Sequence, residues 1–133
     1  MDAIFLCGGH GTSTDFVDNS ALKGAIETVY AADKVVAAVC HGPTGLTQCN
    51  KPDGRPLVEG KVVTGFKDSE EHAVQLQEIV PFLLESKMKE LGAKYESADD
   101  WNSKVCVDGK LVTGQNPQSS EACAEAVISL LSS

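Results

Sequence analysis

Short, valine-rich apolar runs alternate along this chain with stretches in which apolar residues recur at helical spacing, the succession expected of strands and helices taken in turn. Asp2 to Cys7 predicts a buried strand that begins almost at the first residue. Leu22, Ala25, Ile26, Val29 and Tyr30 share one face of a helix that Asp18, Asn19 or Ser20 caps and Ala31 to Lys34 closes. Val35 to Val39 is apolar without a break, reads as a second buried strand and stops on Cys40. The pair Gly42-Pro43 marks the turn into a further helix, roughly Pro43 to Gln48.

Asn50 to Gly60, with Pro52, Asp53-Gly54 and Pro56, is a turn-rich surface connection, and Lys61 to Phe66 reads as another short strand. Ala73 to Leu91 is broadly helical, but Pro81 lacks an N–H and breaks it near Val80, with Gly92 capping the second piece. Lys104 to Val107 and Lys110 to Thr113 flank Asp108-Gly109, a β-hairpin signal. Pro117 suits the start of a last helix through Cys123, Val127, Leu130 and Leu131. The whole predicts one α/β domain, residues 1–133, with a mainly parallel sheet.

In an open parallel sheet the carboxyl ends of the strands share one rim, where such proteins keep their ligand groups. Three segments meet there: the turn Gly8 to Thr12, the corner at Cys40, and the acidic segment Lys67 to His72. A sharp strand-to-helix corner lifts a nucleophile clear of the sheet and points it at backbone N–H groups that favour a thiolate and a developing oxyanion. His41, a candidate base, follows directly. Against this stands the plainer reading of a cysteine that merely ends a core strand; a strand end of that kind needs neither the histidine nor the Gly-Pro corner. The glycine turn matches no phosphate-binding fingerprint, so its use is to supply backbone donors.

Composition narrows the classes. With 11 basic against 19 acidic residues and a formal charge of −8, neither a nucleic-acid backbone nor an anionic membrane surface is an expected partner. No apolar run approaches membrane-spanning length, and the opening lacks the basic region of a signal peptide. Five scattered cysteines, Cys7, Cys40, Cys49, Cys106 and Cys123, form no C-x-x-C pair, so a reducing, cytoplasmic setting is expected and the four besides Cys40 read as core or incidental. His10, His41 and His72 have no metal-site spacing, and no metal is expected. Trp101, the sole tryptophan, reads as a hydrophobic anchor or a ligand contact, and Asn116 and Pro117 either line the pocket or shape a turn.

GGHG after the opening strand, AVCHGP at the corner, TGFKDSEE, PFLLESKMKELGAKYE and VDGKLVTGQNPQSS resemble, in that order, the ThiJ/PfpI superfamily of class I glutamine amidotransferase-like proteins. Within it they are most similar to the branch of glutathione-independent glyoxalases, also described as heat-shock chaperone-like proteins. The resemblance covers nearly the whole chain. It implies a flavodoxin-like α/β sandwich, a homodimer, and a cysteine nucleophile. Carried over by motif, Cys40 is the nucleophile, His41 its base and proton shuttle, and Glu71, rather than Glu70 or Asp68, the acid that orients the histidine. Gly9 and the backbone N–H of His41 match the oxyanion donors, and Asn116 is a substrate-side candidate.

The implied reaction is cofactor-free conversion of methylglyoxal-type 2-oxoaldehydes to 2-hydroxy acids on a small carbonyl substrate. Members of the superfamily begin with a further strand-helix-strand portion whose first loop carries a glutamate that hydrogen-bonds the cysteine. The present sequence opens on the strand before GGHG, so a chain short of that portion, with impaired proton transfer, is expected. Two other classes stay open: a cysteine peptidase or amidase of the same superfamily, and a non-catalytic chaperone or redox-sensing module.

Overall fold

The computed structural model describes residues 2–8, 20–74 and 82–132. In chain order its elements are β1 (Ala3–Leu6), α1 (Ser20–Ala31), β2 (Val35–Val39), a 3-10 helix (Gly42–Gln48), β3 (Val62–Val63), α2 (Asp68–Ala73), α3 (Leu84–Glu90), β4 (Lys94–Tyr95), β5 (Val105–Asp108), β6 (Leu111–Gly114), a 3-10 turn (Pro117–Ser119) and α4 (Ser120–Leu131). The main sheet runs β1-β2-β6-β5. Its first three strands are parallel and β5 returns antiparallel to β6. Helices flank this sheet, the flavodoxin-like arrangement that the resemblance implies.

β2 is central, and all five of its residues are buried. Such burial suits a parallel strand covered on both faces, which is why its sequence is apolar throughout instead of alternating. α1 packs against β2 through Ile26 and Val29, and α4 through Cys123 and Val127. Each fully buried side chain of this kind contributes about 1.5–3 kcal/mol. Registers Leu6↔Ala38 and Val39↔Gly114 bring the carboxyl ends of β1, β2 and β6 to one rim.

Three details differ from the sequence-based expectation. The strand expected over Lys61 to Phe66 is confined to Val62–Val63 and pairs with β4 in a separate two-stranded sheet. It leaves the ladder because the Thr64 N–H turns to the Thr113 hydroxyl at 2.9 Å and the Phe66 N–H to the Cys40 carbonyl at 3.1 Å. The helix after the corner is 3-10 and starts at Gly42, with Pro43 in its first turn. Asp108 pairs with Leu111, so the hairpin turn is Gly109-Lys110, one residue later than expected, with Gly109 at φ 61°. The acidic segment, to which the sequence reading assigned no element, folds as the short helix α2.

Gly92 takes the left-handed conformation that ends α3, at φ 89°. The break expected near Val80 and Pro81 lies outside the described residues.

Candidate active site

β2 ends at a corner where Cys40 has φ 61°, a conformation uncommon for any residue with a side chain. The surrounding backbone holds it there. Its N–H donates to the Gly114 carbonyl of the neighbouring strand at 2.9 Å, and its carbonyl accepts from Phe66 N–H at 3.1 Å. Two glycines let other chain segments close over the corner. A Cβ on Gly8 would fall 2.2 Å from the Val39 carbonyl oxygen and 2.8 Å from Cys40 Cβ, and one on Gly42 would fall 2.3 Å from the Leu6 carbonyl oxygen. The expected role of Gly8 as part of a glycine turn thus includes a packing role: the end of β1 touches the elbow directly.

The structure brings Cys40, His41 and Glu71 together. Cys40 Sγ lies 3.5 Å from His41 Nδ1, and His41 Nε2 lies 2.7 Å from Glu71 Oε2. Both His41 and Glu71 are almost wholly buried, and Cys40 retains 7% exposure. An ionised carboxylate only accepts hydrogen bonds, so Nε2 carries the proton and the lone pair of Nδ1 faces the sulfur. Phe66 fixes the ring from its face, with centroids 4.3 Å apart, and Trp101 meets Phe66 edge-on at 5.6 Å.

The sequence expects the corner to favour a thiolate; burial instead pushes the Cys40 thiol up to about 12, the His41 backbone N–H opposes this only in part, and the charges of Glu70 and Glu71 add to it. Desolvation of the anion is the largest of these influences. The arrangement therefore suits a neutral S–H that passes its proton to Nδ1 as the sulfur attacks.

The two adjacent acids are separated in role. Successive positions on a helix diverge by about 100°, so α2 directs Glu71 to His41 and Glu70 elsewhere. Glu70 is fully buried and accepts from the N–H groups of Lys67 at 3.0 Å and Trp101 at 2.7 Å, and from Asn116 Nδ2 at 2.7 Å. Asp68 accepts from the Ser86 hydroxyl through Oδ2 and takes no part in the His41 pair. Asn116 is fully buried, and its carboxamide also donates to the Asn102 carbonyl and accepts from the Ser119 hydroxyl. Its geometry is that of a turn former.

Gly9 and His10 lie outside the described residues. His72 is exposed on α2 with Nδ1 against the Asp68 carbonyl. Among the described residues no cluster of His, Cys, Asp or Glu has metal-site geometry, and no helix is long and apolar enough to cross a membrane. Cys7 is exposed, and Cys49, Cys106 and Cys123 are buried thiols.

Comparison with known proteins gives the family. A profile of the DJ-1/PfpI family matches residues 1–130. The chain is 40% identical to a Saccharomyces cerevisiae protein named glutathione-independent glyoxalase HSP31, across 96% of this chain and 56% of that protein. It is 38% identical to glyoxalase 3 of Candida albicans, again across 96% and 56%. The crystal structure of glyoxalase III from Candida albicans superposes with a TM-score of 0.90 at 36% identity, covering 96% of this chain and 56% of that one. The chain thus spans a little over half the length of the relatives it matches.

Proposed function

Since the chain belongs to the DJ-1/PfpI family, we propose that it carries the cysteine, histidine and acid of a cofactor-free glyoxalase acting on methylglyoxal-type 2-oxoaldehydes. The observation that carries this reading is the line Glu71–His41–Cys40, with Nδ1 facing the sulfur at 3.5 Å and Nε2 held by the carboxylate at 2.7 Å. The relatives named glyoxalases support the choice of substrate class.

In the proposed reaction the Cys40 S–H proton passes to His41 Nδ1 as the S–C bond forms at the aldehyde carbon, and the carbonyl oxygen becomes the hydroxyl of a hemithioacetal. The imidazole then moves the proton of that carbon to the ketone oxygen, giving an enediol, and moves the proton of the first hydroxyl to the second carbon. One carbon is oxidised as the other is reduced, so no electron acceptor enters, and the product is a thioester. Water adds to its carbonyl, the C–S bond breaks, the thiol is restored and the 2-hydroxy acid leaves. Glu71 stabilises the imidazolium that forms, and the His41 amide with Gly9 is assigned to the oxyanion.

The same reading carries a cytoplasmic homodimer, for which the five free thiols support the reducing setting. The test is lactate formation from methylglyoxal without glutathione. The expected result is turnover that Cys40→Ala lowers about 10³-fold or more. Equal turnover by the variant contradicts the proposal, and amine release from amides in its place favours the hydrolase reading.

A further inference from the structure

Glu70, buried beside the acid that faces His41, accepts three hydrogen bonds of its own. Its three N–H donors are Lys67 just before α2, Trp101 in the segment 96–104 and Asn116 just before the 3-10 turn that leads into α4. Segment 96–104 crosses the rim as a strap. Lys67 and Ser69 hold Asp100, with Lys67 Nζ at 3.3 Å and the Ser69 hydroxyl at 2.6 Å, and Gln115 Oε1 accepts from the Ala98 N–H at 2.8 Å.

The strap delivers Trp101, whose backbone has φ 64°. For a bulky residue that conformation costs about 1–3 kcal/mol and persists only where surrounding bonds enforce it. Two bonds enforce it here: Asn102 N–H to the Asp99 carbonyl at 3.1 Å, which closes a turn with Trp101 in its third position, and Trp101 N–H to Glu70 Oε2 at 2.7 Å, which ties that turn to α2. The indole, 36% exposed, then meets Phe66 edge-on, and Phe66 lies against the face of His41.

We propose that Glu70 is a positioning residue: by fastening the strap through Trp101 it holds an indole–phenyl brace against the His41 ring and so fixes Nδ1 on the Cys40 sulfur. The two consecutive acids of α2 thereby control one imidazole from two sides, Glu71 through its nitrogen and Glu70 through its face. As far as turnover is concerned, this rests on the glyoxalase reading; as a statement about ring placement it does not.

Trp101 is the only tryptophan, so its fluorescence reports the strap without reference to any activity. The experiment compares the protein with its Glu70→Gln variant by tryptophan emission and acrylamide quenching, and with both Glu70→Gln and Trp101→Ala by peptide-mapped alkylation of Cys40 with iodoacetamide and by methylglyoxal kinetics, with circular dichroism to verify folding. In Glu70→Gln the emission is expected to move to the red, with quenching about twofold to threefold stronger as the indole leaves the Phe66 edge. Both variants are expected to change the Cys40 alkylation rate, and to lower kcat about tenfold or more with KM within about twofold, since a misplaced base costs the transition state and not binding.

Unchanged emission and quenching in folded Glu70→Gln overturn the proposal. Unchanged Cys40 alkylation in Trp101→Ala, which keeps the Glu70 carboxylate and does not alter the core, overturns it too. If neither variant nor parent turns over methylglyoxal while the fluorescence and alkylation effects are present, the glyoxalase reading fails and the brace stands.

Discussion

At the scale of single residues, the site is governed by what surrounds one sulfur. A thiol pushed up to about 12 by burial is neutral at physiological pH, and its reactivity is lent by the neighbouring imidazole instead of by its own ionisation. Alkylation of Cys40 is therefore expected to keep rising with pH through 9 and beyond, whereas a thiolate of low pKa would react at a constant rate from about pH 6 upward. Peptide-mapped iodoacetamide kinetics at several pH values check this, with exposed Cys7 as the internal reference. The chemical types at the site were legible from the chain: a cysteine at the end of an apolar run, a histidine after it and an acidic segment past the next strand. The pairing of Glu71 with His41 was not, because residues 30 apart meet only through the fold, and only the resemblance separated Glu71 from Glu70. The partners of Asn116 and Trp101 on Glu70 likewise leave no local trace, since a buried carboxylate met by backbone N–H groups imposes no periodicity on the sequence.

At the scale of elements, strands and helices with long, uniform patterns were readable and the short ones were not. β2 and α1 each carry their signal in several consecutive positions, and both form where the pattern puts them. β4, with only Lys94 and Tyr95, is too short to show alternation, and β3 stops after Val63 because side-chain and elbow acceptors capture the following N–H groups. The decisive contact between elements is the crossing of Gly8 over the elbow. Gly8→Ala places a methyl 2.2 Å from the Val39 carbonyl oxygen, a backbone atom that has no room to move while Val39 stays paired in the sheet. We expect a loss of about 1–3 kcal/mol or more from this overpacking, seen as a lower urea midpoint at unchanged slope, together with loss of turnover as the end of β1 is pushed off Cys40.

For the whole molecule, the buried thiols have a common consequence. Cys40 and Cys49 are pushed up to about 12, Cys106 and Cys123 to about 11, in each case chiefly by burial, from an ordinary value of 9.0. Burial also raises Tyr95. A folded state that holds these protons more tightly than the unfolded chain has its full stability below pH 9 and loses it as pH rises toward the folded values. Urea midpoints are thus expected to fall steeply between about pH 9 and 11, and Cys123→Ala, which removes one such thiol, to shallow that fall. A midpoint independent of pH across that window would show that the thiols ionise without penalty.

The central claim, that the Cys40 sulfur is the atom that takes up the carbonyl carbon with His41 as its base, is tested most directly by acid-quenching the protein during its first turnover of methylglyoxal and mapping the acylated peptide. The account predicts a lactoyl thioester on Cys40, absent when His41 is replaced by alanine and not on the exposed Cys7. Acylation spread over Cys7 or other thiols, or lactate formed with Cys40 unmodified throughout, would contradict it.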